Sequence, residues 1–384
     1  MRYATISCRR WSPMNKPRYN KIVVKVGSSL ITDGGRGLDR NMISTWAEQM
    51  SELRADGVDV VLVSSGSIAE GITRLNLKSR PTNISELQAT AAVGQMGLVQ
   101  AYEVCFQKHG LHSAQILLTH ADLSNRKRYL NARSTLRTLL AYGTLPVVNE
   151  NDSVSNEEIR FGDNDTLGAL VANLVEADLL IILTDQEGLY DSHPGENPEA
   201  ELITRADAND PKLLGYAGPS SGHLGRGGMQ TKVCAAQLAA RSGTHTVIAS
   251  GKCEKVILRL ASGEAIGSFL EAGEGHLAAR KQWLAGHMRC SGNLHLDDGA
   301  VEVLKNKNAS LLPIGVKKVD GVFNRGEVVS CLDFNGREIA RGLVNYASDE
   351  CKQIVGKPSA EIPEILGYED DPELINRENL ILTT

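Results

Sequence analysis

The chain has 384 residues, of which 42% are hydrophobic, 23% charged and only 4% aromatic, with a formal net charge of −5. This length exceeds one average domain, and aliphatic side chains and alanine must fill the core. No apolar run approaches the roughly 20 residues of a membrane span, and the acidity argues against a whole-protein nucleic-acid binder.

Residues 1–20 form a basic tail carrying Arg2, Arg9, Arg10, Lys16 and Arg18 with no acid. Disorder, or an upstream start ahead of Met14, is the favoured expectation, and an Arg-rich targeting peptide is the weaker one. From Lys21 onward, short β-branched runs alternate with helical stretches. Residues 22–26 run into Gly27-Ser28-Ser29, 58–63 into Ser64-Ser65-Gly66, and 145–148 into Asn149-Glu150-Asn151-Asp152. Residues 179–183 end in Thr184-Asp185, and 246–249 end in Ser250-Gly251. Runs that are apolar almost throughout suit strands covered on both faces. Residues 41–55, 167–175 and 232–241 have helical character, with Gly57 and Gly243 as C-caps. The prediction is an α/β domain over 21–275, with a largely parallel central sheet and helices on both faces.

The character changes near residue 275. A charged linker over 276–291 leads into a small β-rich domain over 292–367, followed by an acidic tail over 368–384. Asp297-Asp298-Gly299-Ala300, Val319-Asp320-Gly321 and Phe334-Asn335-Gly336-Arg337 read as hairpin or bend signals suited to a small barrel. The seven cysteines are scattered with no C-x-x-C pair, so they read as small buried hydrophobes in a reducing cytoplasm, not as a disulfide frame or zinc site.

Ligands of open α/β sheets bind beyond the carboxyl ends of the strands, and five runs here end in Gly, Ser, Asn or Asp. Gly225-Arg226-Gly227-Gly228-Met229-Gln230-Thr231-Lys232 leads straight into a helix. Its glycines and the helix N-terminus suit an anion, although a plain tight turn would look the same. Lys25 interrupts an apolar strand one residue before a glycine turn. It is either a charge aimed at phosphate or a lysine snorkelling from an edge strand. In Gly162-Asp163-Asn164-Asp165, Asp163 or Asn164 can cap the following helix. Asp165 can compensate lysines or hold Mg²⁺ through water. Two lysine-bearing loops facing two anionic, amide-rich loops divide labour as phosphoryl transfer requires.

The segments Lys25–Ser29, Ser64–Ala69, Asn149–Asp152, Phe161–Asp165, Thr184–Tyr190 and Gly225–Lys232, in this order and spacing, resemble the glutamate 5-kinase family, a branch of the amino-acid kinase superfamily. Ser310–Val316 with Gly321–Glu327 resembles the PUA domain of its longer members. The resemblance spans about residues 21 to 370 and implies an amino-acid kinase fold plus a C-terminal PUA-like domain. The implied reaction is ATP-dependent phosphorylation of the γ-carboxylate of L-glutamate, opening proline biosynthesis, with Mg²⁺ accompanying ATP. Lys25 and Lys232 would neutralise the phosphates, with Asp165 holding them as the third catalytic residue. Thr184, Asp185 and the loop Arg226, Gly227, Gly228, Met229, Gln230, Thr231, Lys232 would contact the nucleotide, together with Lys25. Ser65, Gly66, Asp152, Asn164 and Asp163 would bind glutamate. The resemblance further implies feedback inhibition by proline, a glutamyl-phosphate reductase as functional partner, and a homo-oligomer.

Three positions depart from the family pattern: Ser28 for Thr, Ser67 for Ala and Arg226 for a small polar residue. The first two are near-isosteric and expected to matter little. Within enzymes the alternative is another amino-acid kinase, such as an aspartate kinase, which would carry regulatory ACT domains. Outside enzymes it is an RNA-binding or RNA-modifying PUA protein. From Asn293 to Thr384 there are 16 acidic and 10 basic residues, a poor match to a phosphate backbone.

Overall fold

The computed structural model describes residues 17–32, 37–154, 164–218, 228–273, 290–307, 309–369 and 371–383. Most of the basic tail and of the linker, together with Asp163, Arg226 and Gly227, lies outside the described residues.

In chain order the larger unit contains β1 (Lys21–Val26), α1 (Ser28–Ile31), α2 (Arg40–Ala55), β2 (Asp59–Ser64), α3 (Ser67–Arg74), α4 (Ile84–Gln107), β3 (Ser113–Leu118), α5 (His120–Ser124), α6 (Arg126–Ala141) and β4 (Leu145–Glu150). It continues with α7 (Asn164–Val175), β5 (Leu179–Thr184), β6 (Arg205–Asp207), α8 (Lys212–Tyr216), α9 (Met229–Ala240), β7 (His245–Ser250), α10 (Val256–Ala261) and β8 (Ser268–Glu271). The eight strands form one sheet in the order β3-β4-β2-β1-β5-β7-β8-β6. Every pairing is parallel except β7 with β8.

Each face of the sheet has its own core. Ile22, Val24 and Val26 of β1 pack with α2, α4 and α10 through Trp46, Leu98, Tyr102 and Ile257. On the other face, Val23 of β1 joins Leu136 of α6, Val171 and Val175 of α7, and Val233 and Ala235 of α9. Strand side chains alternate between faces, so the all-apolar runs are explained by burial on both. The alternation also sends Lys25 to the α7 and α9 face. Strand β1 lies between β2 and β5, which removes the edge-strand reading of Lys25. Tyr19 is already buried in the first core, and the Arg18 amide donates to the Ala261 carbonyl at 2.8 Å. The chain therefore joins the fold slightly before β1.

The smaller unit is a five-stranded sheet of β9 (Gly292–Leu296), β10 (Val316–Gly321), β11 (Val328–Leu332), β12 (Glu338–Leu343) and β13 (Leu380–Leu382), in the order β10-β9-β11-β12-β13. It carries α11 (Asp298–Lys307), α12 (Ser348–Ile354) and α13 (Ile362–Leu366). Two sequence expectations change here. Asp297–Ala300 is no hairpin but a helix start, where Asp297 Oδ1 accepts from the Ala300 amide at 2.8 Å. The supposed acidic tail belongs to the domain, since Leu374 and Ile375 are fully buried in its core and β13 pairs with β12. Apolar side chains spaced among its acids supply that burial. The Phe334–Arg337 signal is a true hairpin turn, closed by Asp333 Oδ1 accepting from the Asn335 and Arg337 amides. Among the described residues, no helix is long and apolar enough to cross a membrane.

Candidate active site

The carboxyl ends of β4, β2, β1 and β5 lie side by side in the sheet, and their loops divide into three stations. The central station is charged. Lys25 Nζ lies 2.5 Å from Asp165 Oδ1, and Lys232 Nζ lies 3.1 Å from Asp165 Oδ2. The Thr231 hydroxyl is 2.7 Å from the same Oδ2. Lys25 comes from β1, Asp165 from the first turn of α7, and Thr231 and Lys232 from the first turn of α9. Gly168, one turn along α7, lies against the lysine stem, where an added Cβ would stand 3.4 Å from Lys25 Cβ, an ordinary contact distance.

Burial by itself pushes the Asp165 carboxyl up, but the Lys25 and Lys232 charges, with hydrogen bonds from Lys25 and Thr231, outweigh it. The carboxyl is held well below the usual carboxylate range and stays ionised. Two ammoniums and one carboxylate sum to a formal +1, in a cluster whose side chains are 7% exposed or less. Such a cluster suits an arriving anion.

Carboxylate oxygens already committed to two lysines do not fit a metal ion as well. The described residues contain no group of three or more His, Cys, Asp or Glu placed to hold one. Of the two roles considered for Asp165, compensating lysines is the one its geometry supports.

The second station, beyond β2 and β4, is built from amides and hydroxyls. Asn164 Nδ2 donates to Ser65 Oγ at 2.7 Å and to Asn149 Oδ1 at 3.0 Å. Asn149 Nδ2 donates onward to Gln95 Oε1 at 2.8 Å. Gly66 precedes α3 at φ +109°, and a Cβ there would meet Ile31 Cγ2 at 2.9 Å. Glycine is therefore the residue that lets this turn form. Asp152 Oδ2 accepts from the Ser67 hydroxyl at 2.9 Å. Burial pushes the Asp152 carboxyl up, against opposing pulls from Ser67 and the Arg80 charge, and the net direction is upward.

At the third station, beyond β5, Thr184 is buried and its hydroxyl donates to the exposed Asp185 Oδ1 at 3.1 Å. Helix α9 follows Gly228, an N-cap residue with no side chain to cap its first amides, and carries Met229 and Gln230 beside Thr231. Amides at a helix N-terminus suit phosphate oxygens.

The structure thus gathers Lys25, Asp165 and Lys232 into one contact network, and Ser65, Asn164 and Asp152 around the loops next to it. Asp163, Arg226 and Gly227 fall outside the described residues. Ser67 proves to hold Asp152, so its hydroxyl is not an inert substitution for a methyl. Gln95 had no motif to reveal it. A lone glutamine in Ala91-Ala92-Val93-Gly94-Gln95 was its sole sequence signal.

The Amino acid kinase family model matches residues 20–250, and the PUA domain model matches residues 292–366. A glutamate 5-kinase from Pseudomonas paraeruginosa is 58% identical over 382 residues, spanning 100% of both chains. A glutamate 5-kinase from Pseudomonas savastanoi pv. phaseolicola is 61% identical over 360 residues, covering 94% of this chain and 98% of that protein. One from Pseudomonas entomophila is 60% identical over 360 residues, covering 94% of this chain and 97% of that protein.

Proposed function

The chain belongs to the glutamate 5-kinase family, within the amino acid kinases, and on that premise we propose that it transfers the terminal phosphoryl group of ATP to the γ-carboxylate of L-glutamate. The observation that carries the chemistry is the buried Lys25–Asp165–Lys232 cluster. The product is L-glutamyl 5-phosphate, and the reaction opens proline biosynthesis in the cytoplasm.

A carboxylate oxygen of glutamate attacks the γ-phosphorus while the bond from that phosphorus to the ADP oxygen breaks. No proton moves, because a γ-carboxylate is already ionised near pH 7. A general base is unnecessary, and the protein's task is placement and charge. Lys25 and Lys232 receive the charge on the phosphoryl oxygens, and Asp165 keeps both ammoniums aimed at one point. Stabilising groups held in place before reaction cost no reorganisation during it. Thr184, Asp185 and the residues from 226 to 232 hold the nucleotide. Mg²⁺ would arrive on its phosphates, and no carboxylate of the charged cluster fits it as a ligand.

Ser65, Gly66, Asp152, Asn164 and Asp163 form the glutamate site. The Gly66 amide and Ser65 hydroxyl suit carboxylate oxygens, and the Asp152 carboxylate suits the α-ammonium. Proline presents the same ammonium and α-carboxylate without a γ-carboxylate, so it would compete there as a feedback inhibitor. The labile acyl phosphate product calls for a reductase close at hand, and the working enzyme would be a homo-oligomer. The test is a coupled assay of ADP release with glutamate, aspartate and acetylglutamate. Glutamate should be the preferred acceptor, and preference for either competitor would refute the assignment.

A further inference from the structure

We propose that Ser64, at the end of β2, and Tyr102, on α4, are positioning residues that hold the Ser65–Gly66 peptide with its amide toward the reacting carboxylate. The proposal rests on the reading of Gly66 as a substrate-binding residue.

The direction of two hydrogen bonds follows from counting hydrogens. Ser64 Oγ lies 3.1 Å from the Ser65 carbonyl oxygen and 3.1 Å from the Tyr102 hydroxyl. A carbonyl only accepts, so the single Ser64 hydrogen goes to Ser65, and Tyr102 donates to Ser64. The reverse assignment leaves the Tyr102 hydrogen without an acceptor among the described residues, on a side chain buried in the first core. Burial also pushes the Tyr102 hydroxyl well above the ordinary tyrosine value, so that hydrogen is always present.

Where the Gly66 amide points follows from the sheet. In the parallel register of β1 and β2, Ser64 pairs with Val26 and Val63 with Lys25. Val26 and Tyr102 belong to the first core and Val63 to the second, so Ser64 lies on the face opposite Lys25. The bond from Ser64 draws the Ser65 carbonyl toward the Tyr102 face. In a trans peptide the next amide points the other way, which turns the Gly66 N–H toward the face of Lys25. Asn164 Nδ2 meets Ser65 Oγ on that side at 2.7 Å. Among the described residues the Gly66 amide donates to no protein acceptor, so it is left for an anion. Gly66 sits at φ +109°. A half-turn of the peptide would bring that angle to about −70°, which is sterically ordinary. The flipped peptide would present a carbonyl oxygen to the substrate carboxylate, where repulsion replaces stabilisation. Both orientations are open to the backbone, and the Tyr102–Ser64 chain selects one.

Three substitutions separate peptide orientation from packing. Ser64→Ala removes the donor to the Ser65 carbonyl, Ser64→Thr keeps a hydroxyl, and Tyr102→Phe deletes one oxygen while keeping the ring. In steady-state assays of the full-length enzyme, Ser64→Ala should lower kcat/KM for glutamate roughly tenfold. Deleting an oxyanion donor outright costs about 10²–10³, and a released peptide still visits the productive orientation. ATP KM should stay within about twofold, and Ser64→Thr should recover most of the loss. Tyr102→Phe should lower kcat/KM for glutamate about threefold, the low end for one net hydrogen bond. An unchanged glutamate kcat/KM in folded Ser64→Ala, or in Tyr102→Phe, would overturn the proposal, and Tyr102→Phe carries the test alone should Ser64→Ala not fold. Equal losses in Ser64→Ala and Ser64→Thr, or parallel rises in glutamate and ATP KM, would also refute it, since packing damage predicts them. A wild-type enzyme that does not phosphorylate glutamate would overturn the functional reading itself, and the positioning role with it.

Discussion

The two neighbouring stations at the sheet edge achieve order in opposite ways. Around Asp165, order comes from full charges, two ammoniums sharing one carboxylate at 2.5 and 3.1 Å. Around Asn164, it comes from neutral amides joined in a chain of hydrogen bonds reaching Gln95. A charged cluster in low dielectric is strongly held but intolerant of losing a member. An amide chain is gentler energetically, yet a flip anywhere along it changes what the ligand meets. The first design suits a phosphoryl group, whose recognition is mainly charge. The second suits an amino acid, whose recognition depends on which atom donates.

The largest effect should follow removal of a charge from the first station. Lys232→Ala is expected to lower kcat by roughly 10²–10³, the scale of losing one preorganised stabilising group. Glutamate KM should change little, and a near-normal kcat would remove Lys232 from the chemistry. In the second station the signature should move to binding. Asp152→Ala should raise glutamate KM by at least about tenfold and weaken proline inhibition in parallel, with ATP KM nearly unchanged. Proline inhibition at wild-type strength alongside collapsed glutamate binding would show that the two sites do not overlap.

A smaller effect should appear as pH dependence. Asp152 must be ionised to meet an ammonium, and burial pushes its carboxyl up from the ordinary aspartate value. Glutamate kcat/KM should therefore fall on acidification sooner than an ordinary carboxylate would allow. Ser67 pulls that carboxyl down through its hydrogen bond, so Ser67→Ala should move the acid limb of the profile toward neutral pH. An unmoved limb would separate Ser67 from the ionisation of Asp152. The smallest effect on catalysis is expected from removing the C-terminal domain, because every loop of the three stations precedes residue 233. A chain ending near Gly286 should still phosphorylate glutamate. Its stability should fall, since the Arg325 guanidinium donates to Asn131 Oδ1 of α6 at 3.2 Å in the intact chain. A folded but inactive truncated protein would place part of the active site in the second domain.

The central strands were legible because burial on both faces leaves long aliphatic runs, and Gly57 and Gly243 marked the ends of α2 and α9. Strands β6 and β8 were not legible. They are three and four residues long, too short for any period to show. Strand β3 was missed as well, because at the sheet edge only Leu118 of its six residues is buried, and Ser113 and Gln115 leave no long apolar run. Within the site, Lys25 announced itself as a charge in an apolar strand, and Lys232 as a charge directly behind a glycine-rich turn at a helix start. Gln95 did not, since its partner Asn149 is 54 positions away and a single glutamine in a helix is unremarkable.

The amino-acid sequence by itself determined the alternation of strands and helices, the polar ends of those strands and the residue types needed for phosphoryl transfer. These are local properties, written in periodicity and in single residues that contradict their surroundings. The tertiary structure decided which of those residues meet. It showed that Lys25 is central in the sheet, that Asp165 serves two lysines, that Ser67 grips Asp152, and that the last residues complete the second core. Such pairings join segments tens to more than a hundred positions apart. They depend on strand order and helix packing, which no local pattern encodes.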